Sequence, residues 1–513
     1  VNICLKVFNL LAHSLNILKT FNKKSAMKIL SSILLNFLFL TPFVFSQNNV
    51  ESAVNSFAVK AGMEHASISI QVIDLLDGSV VAKYNPERTL TTASTVKLFS
   101  TGTALDILGP EHKSETRVYI DGEIDSNGVL NGNVWIRGGG DASIGSKYFN
   151  KEGHQLDFFT NWIDAIKEAG IKEISGGVIA DASEFGYEGA PGGWSWSDMG
   201  NYYGASPSGL TIYDNLLRYT FSTFSVAGKS TTIKSIEPYV PGMTFHNYVL
   251  SSKKSGDNAY LFGAPYSDDY FGSGTLPINQ SSFLVKGSLS DPEMQFAYEF
   301  NKTIVDNGIK IYELPSTARD KDIKSTSSDY ENRTLLHSTK GKPLSVMIKE
   351  TNYRSVNLFA EHMINMIGYE KTGDGSTTSG LNVLAKHWAG KMNTSGLQIN
   401  DGSGLSRNNV ISSHHFTQLL SYMHKSKYAA DFKASMPIAG VSGTLRNVCK
   451  GQAGQNRVVA KSGSMTRIKS YAGYVTTRSD KKLAFAIIVN NNTCSSRTLK
   501  VRIESLLNAM ANY

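Results

Sequence analysis

The chain of 513 residues is too long for a single core of ordinary size, so two or three domains are expected. With 41% hydrophobic and 18% charged residues, it has the composition of a soluble globular protein, which excludes a disordered polymer and a bundle of membrane spans. The net charge of +8 is no pointer to nucleic acid, because five of the excess charges (Lys6, Lys19, Lys23, Lys24 and Lys28) lie in the first 46 residues, which hold no Asp or Glu.

That first segment has the features of an export signal. Met27-Lys28 precedes an apolar run from Ile29 to Phe45, and Val44-Phe45-Ser46 places suitable residues at −3 and −1 of a cleavage point before Gln47. Residues 1–46 are therefore expected to be a signal peptide with an upstream extension or long n-region, and the mature protein to be secreted into the periplasm. The competing reading is an uncleaved anchor, which Pro42 and the cleavage pattern oppose. No Cys stands at the cleavage point, so lipid anchoring is not expected and membrane association is peripheral at most. Cys449 and Cys494 remain in the mature chain, an even pair that permits a disulfide and equally permits two thiols.

From Ala66 to Asp74 apolar and polar residues alternate, break at Asp77-Gly78 and resume at Val80 and Ala82, the pattern of a hairpin. Thr91 to Phe99 then leads into Ala104, Leu105 and Leu108 at helical spacing before Gly109-Pro110, which places Ser94 at or just inside a helix start. Far along the chain, Lys461-Ser462-Gly463-Ser464 runs into a strand over 470–477. A second strand is predicted over 482–490 and an amphipathic helix over 497–510. Hairpin and terminal strands would complete one antiparallel sheet with the Ser94 helix against it, so both chain ends form one domain and the stretch from about 112 to 325 is inserted.

A serine hydroxyl attacks only when a base takes its proton, and a lysine three residues on along a helix lies on the same face. Ser94 and Lys97 meet that condition. Burial or a neighbouring cation, here Lys461, would depress the lysine enough to serve as base. Ser355 and Asn357, in Ser355-Val356-Asn357, would relay a proton and fix Lys97. The backbone N–H groups of Ser94 and Ser464, the latter past the small Gly463 on an edge strand, would hold an oxyanion. Each motif alone is weak: Ser94 by itself reads as a helix cap and Lys97 as a surface residue. Their order along the chain is what is specific.

With these residues in place, the chain resembles the class C low-molecular-mass penicillin-binding proteins, the D-alanyl-D-alanine carboxypeptidase and endopeptidase family. The resemblance extends to Arg137–Asp141, Gly193–Asp198, Asn201–Ala205, Asp401–Arg407 and Ala439–Arg446, and weakens between about 216 and 285. It implies an α/β fold: a β-lactamase/transpeptidase-like domain, an antiparallel sheet flanked by helices, over 47–111 and 326–513. An inserted domain would occupy 112–215 and 286–325, with a nested one over 216–285. It implies a serine-type peptidase cutting D-alanyl bonds of peptidoglycan peptides through an acyl-enzyme, covalently inhibited by β-lactams, with no metal, no cofactor and no nucleic-acid partner. Ser94, Lys97, Ser355, Asn357 and Lys461 would be catalytic. Ser462, Gly463 and Ser464 would bind the substrate carboxylate, and Asp198, Tyr203 and Arg407 would read a diaminopimelate side chain. Two positions depart from the family pattern: Ser462 stands where Thr is commoner, and Val356 where Asp is common. The alternatives are a β-lactamase or esterase on the same fold, or a silent wall-binding protein. Glu361-His362 and His414-His415 lack metal-ligand spacing and read as packing or helix-start residues, while Trp194 and Trp196 read as a wall between domains.

Overall fold

A computed structural model describes residues 49–321 and 327–513; the expected signal peptide and upstream extension lie outside them. The two ends of the chain form one antiparallel sheet of five strands, in the order Val80–Tyr84, Ser67–Asp74, Lys482–Asn490, Ile468–Thr476, Val458–Met465. Residues alternate between its faces, as strand geometry requires. Ala484, Ala486 and Ile488 share a core with Leu98, Phe99, Phe416 and Leu420, where small alanines let the helices come close. Leu483, Phe485, Ile487 and Val489 face the other way, against Leu499, Ile503 and Leu507 of the Ser496–Ala511 helix and Val50, Val54 and Phe57 of the helix over 49–58.

The Lys97–Leu108 helix is buried from Lys97 to Leu105, so it runs through the middle of the domain. Its polar side chains are satisfied locally. Thr101 Oγ1 donates to the Lys97 carbonyl and Thr103 Oγ1 to that of Phe99, each at 2.6 Å. Ser100 Oγ donates instead to the Gly402 carbonyl, also at 2.6 Å, which ties this helix to the 401–406 loop.

Between the two ends lies the inserted material. A five-stranded sheet runs Ser316–Thr317, Val178–Asp181, Val134–Gly138, Glu115–Ile120, Thr334–Lys340, and two three-stranded sheets are built between 216 and 288. Two strands lie across limits expected from the sequence. Thr334–Lys340, past residue 325, pairs with Glu115–Ile120, and Phe283–Ser288, spanning 285, pairs with Leu216–Ser222. Sheet pairing between distant segments leaves no local mark at either place. One continuous core joins Val118, Ile136 and Trp162 to Tyr219, Phe221 and Val285, so the inserted units pack as one body. Cys449 and Cys494 are free thiols: Cys449 packs against Glu504, and Cys494 Sγ lies 3.5 Å from the Gly62 carbonyl.

Candidate active site

Ser94 lies in a 3-10 turn, Ala93–Val96, that continues directly into the Lys97–Leu108 helix. Ala93 has φ +48°, a left-handed conformation that a non-glycine residue adopts only at a cost. The 401–406 loop packs hard against this turn: a Cβ placed on Gly404 would meet the Ala93 carbonyl oxygen at 2.1 Å. Across the cleft, Ser355 ends the Leu344–Arg354 helix at φ +64°, and Asn357 opens the Asn357–Thr372 helix. The edge strand Val458–Met465 supplies the third group. A Cβ on Gly463 would lie 2.5 Å from the Thr92 carbonyl oxygen and 3.0 Å from Ser94 N, so only glycine lets the strand pass the nucleophile's amide.

Lys97 is fully buried, with Nζ 3.1 Å from Ser94 Oγ, 2.7 Å from Asn357 Oδ1 and 2.6 Å from the Ser403 carbonyl oxygen. Burial pushes its amine down to about 7, against the opposing pull of Glu361 and Asp401. A neutral amine has two N–H groups and one lone pair. Asn357 and Ser403 take the two N–H groups, which turns the lone pair to the Ser94 hydroxyl. Lys461, also fully buried, donates to Ser355 Oγ at 2.9 Å and to the Ser462 carbonyl at 2.7 Å. Burial holds it well below the usual lysine range, and the charge of Lys97 adds to this. Burial is the leading cause for both amines, and the repulsion between them disfavours charging both at once.

The sequence reading missed two acids of this site. Glu361 is fully buried, one helical turn beyond Asn357, and accepts from the N–H groups of Gly402 at 2.7 Å and Ser403 at 2.8 Å. It thereby holds Ser403, the residue whose carbonyl accepts from Lys97. Its carboxyl is held above the usual range, by burial first and then by Asp401. Asp401 accepts from Gly404 N at 2.7 Å, Asn409 Nδ2 at 2.8 Å and Trp194 Nε1 at 2.9 Å. Trp194 therefore pins the inserted material to the loop that frames the nucleophile. The i, i+4 spacing from Asn357 to Glu361 was the available signal.

A cleft of about 810 Å³ is lined by Ser94, Ser355, Asn357, Asp198, Tyr203, Arg407 and Ser464, with Lys97 and Lys461 buried behind it. Tyr203 OH donates to Asp198 Oδ1 at 3.3 Å, and its carbonyl accepts from Asn357 Nδ2 at 2.7 Å. Burial raises the Asp198 carboxyl, opposed by Tyr203 and Arg407. Val356 also lines the cleft, and its side chain packs on the core behind. Ser462 lies outside the lining, and its hydroxyl donates to Thr444 Oγ1 at 3.0 Å. Thr444, from the Ala439–Arg446 stretch, is a further polar group that the spacing of motifs did not single out.

The model of the D-Ala-D-Ala carboxypeptidase 3 (S13) family matches residues 50–511. A D-alanyl-D-alanine carboxypeptidase of Actinomadura is 25% identical over 84% of this chain and 79% of its own length. The D-alanyl-D-alanine carboxypeptidase DacB of Haemophilus influenzae is 23% identical over 90% of this chain and 92% of that protein. The crystal structure of penicillin binding protein 4 (dacB) from Haemophilus influenzae has the same fold, with a TM-score of 0.76 at 21% identity, over 91% of this chain and 100% of the other.

Proposed function

The chain belongs to the D-Ala-D-Ala carboxypeptidase 3 (S13) family, and we propose that it is a serine peptidase that cuts D-alanyl bonds of peptidoglycan peptides with Ser94 as nucleophile and Lys97 as base. The observation that carries this reading is the buried Lys97 amine, lowered to about 7 and aimed at Ser94 Oγ. Neutral Lys97 takes the hydroxyl proton as Oγ attacks the D-alanyl carbonyl carbon. The tetrahedral oxyanion is held by the N–H groups of Ser94 and Ser464. As the C–N bond breaks, the proton passes through Ser355, backed by Lys461, to the leaving amine. Water then attacks the acyl-enzyme and gives its proton to Lys97, which passes it to Ser94 Oγ as the ester bond breaks and the product acid leaves. Ser464, and the paired hydroxyls of Ser462 and Thr444, are assigned to the terminal carboxylate of the substrate. Asp198, Tyr203 and Arg407 are assigned to a side chain carrying both an amine and a carboxylate, such as diaminopimelate.

A β-lactam follows the same path to a Ser94 ester, but its leaving nitrogen stays tethered and the adduct persists. The size of the cleft suits a leaving group larger than D-alanine, so both the carboxypeptidase and the endopeptidase reaction are assigned to the site. The substrate places the enzyme outside the cytoplasm, and the Ile29–Phe45 run with its cleavage pattern supports export to the periplasm. Among the described residues no helix is long and apolar enough to cross a membrane. The test is amine release from two substrates, a peptide ending in D-alanyl-D-alanine and a cross-linked peptide dimer, each with and without benzylpenicillin. Penicillin-sensitive cleavage of either supports the reading. Turnover of the penicillin with neither peptide cut replaces it with a β-lactamase.

A further inference from the structure

The same cleft has a second charged region, on the inserted side, that the proposed chemistry does not use. Tyr213, Asp214 and Asn215 form a left-handed turn, with φ of +55°, +57° and +51° in three successive non-glycine residues. Such backbone persists only where its surroundings over-determine it, and it gathers at functional sites. Here it holds the Asp214 carboxylate, 3% exposed, where it accepts from Ser146 Oγ at 2.5 Å and Lys147 N at 3.2 Å and pairs with Lys147 Nζ at 3.3 Å. Lys147 is thereby fixed at the cleft wall, its side chain still 40% exposed.

Beside it the sheet register sets Arg218 directly opposite Lys286, on neighbouring antiparallel strands. Like charges in that position repel, an arrangement sheets otherwise avoid. Both cations act on Lys147, whose ammonium burial holds below its usual value. Four cations line the cleft, Lys147, Lys286, Arg354 and Arg407, against the two carboxylates Asp198 and Asp214. Asp214 is committed to Lys147, Arg354 pairs with Glu350 at 2.6 Å and Arg218 with Glu152 at 2.7 Å. Lys286 is exposed and makes no ion pair among the described residues. An anion entering between Lys147 and Lys286 would relieve the repulsion and complete the pairing.

Resting on the peptidase reading of this cleft, we infer that Lys147 and Lys286, set by Asp214, form a second subsite for a carboxylate of the wall peptide several residues from the bond that is cut. The enzyme would then select acidic peptides by a contact remote from the scissile carbonyl, which fits a cleft far larger than a D-alanyl-D-alanine dipeptide. A peptide partner is favoured over a separate polyanion because the cations line the cavity that contains Ser94, so the ligand must share it with the reacting bond.

The test uses two synthetic peptides that end in D-alanyl-D-alanine and differ at one upstream residue, glutamate in one and glutamine in the other. The unaltered enzyme is expected to cut the glutamate peptide with a kcat/KM about tenfold higher, and less so at high salt. Lys286→Met, at an exposed strand position whose side chain makes no ion pair among the described residues, is expected to bring that ratio to about two or below. Equal rates for the two peptides in the unaltered enzyme, or a ratio that survives Lys286→Met, overturns the subsite while leaving the peptidase reading standing. If neither peptide is cut, the peptidase reading falls and the subsite falls with it.

Discussion

Lys97, Lys461, Glu361 and Asp401 are all 0% exposed, whereas the charged groups that the inserted material brings to the cleft, Asp198, Lys147 and Lys286, keep contact with solvent. In the buried set, charge has no water to fall back on. Each group must find its partners in the protein, and Nζ of Lys97, the oxygens of Glu361 and the oxygens of Asp401 all do so at hydrogen-bond distance. Geometry is therefore fixed before a ligand arrives, which is what bond-making requires. On the inserted side water can be exchanged for substrate at little cost, which suits recognition. The fully buried, hydrogen-bonded charges thus belong to the chain ends, and the solvated ones of Asp198, Lys147 and Lys286 to the insertion.

Changes on the buried side should strike every substrate alike. Ser94→Ala should remove both D-alanine release and penicillin labelling, a loss of about 10⁴-fold or more in steady-state rate. Lys97→Ala should leave a folded protein whose acylation is slower by about 10²- to 10⁴-fold, read by stopped-flow with benzylpenicillin. Normal acylation in that variant would break the division of labour. The acylation rate of the unaltered enzyme should rise about tenfold per pH unit up to about 7 and then level, because only the neutral amine accepts the Ser94 proton.

Glu361→Gln sharpens the same point. Where it is ionised, the Glu361 carboxylate favours the charged form of Lys97, so its loss should lower the lysine further and carry the acid limb toward lower pH. A purely structural Glu361 would lower the rate without moving that limb. On the inserted side the effect should depend on substrate. Asp198→Ala should cost about tenfold in kcat/KM for peptides carrying a free amine on the residue before D-alanine, with a smaller effect on penicillin acylation. Equal losses on both would remove Asp198 from amine recognition.

The division explains what the sequence could and could not say. Ser94, Lys97, Ser355, Asn357 and Lys461 were legible because each short motif is tied to a local feature, a helix start or an edge strand, and their order is specific. The antiparallel sheet was legible in the alternation over 66–74 and in the strand expected over 482–490. Glu361 was read as a packing or helix-start residue and Asp401 only as part of a matching stretch, since a buried acid differs from a solvated one only by what folds over it. The hydroxyl of Ser462, paired with Thr444, and the cross-strand partners Arg218 and Lys286 depend on register, which alternation alone does not give. The pairings of Phe283–Ser288 with Leu216–Ser222 and of Thr334–Lys340 with Glu115–Ile120 depend on register in the same way.

The central claim is that the buried side of the cleft makes Ser94 a nucleophile. The most direct test is the intact mass of the mature protein after incubation with benzylpenicillin, followed by peptide mapping of the adduct. One stoichiometric, slowly decaying adduct on the peptide that contains Ser94 is the expected result. An adduct on another residue, or none with the drug intact, would contradict the account.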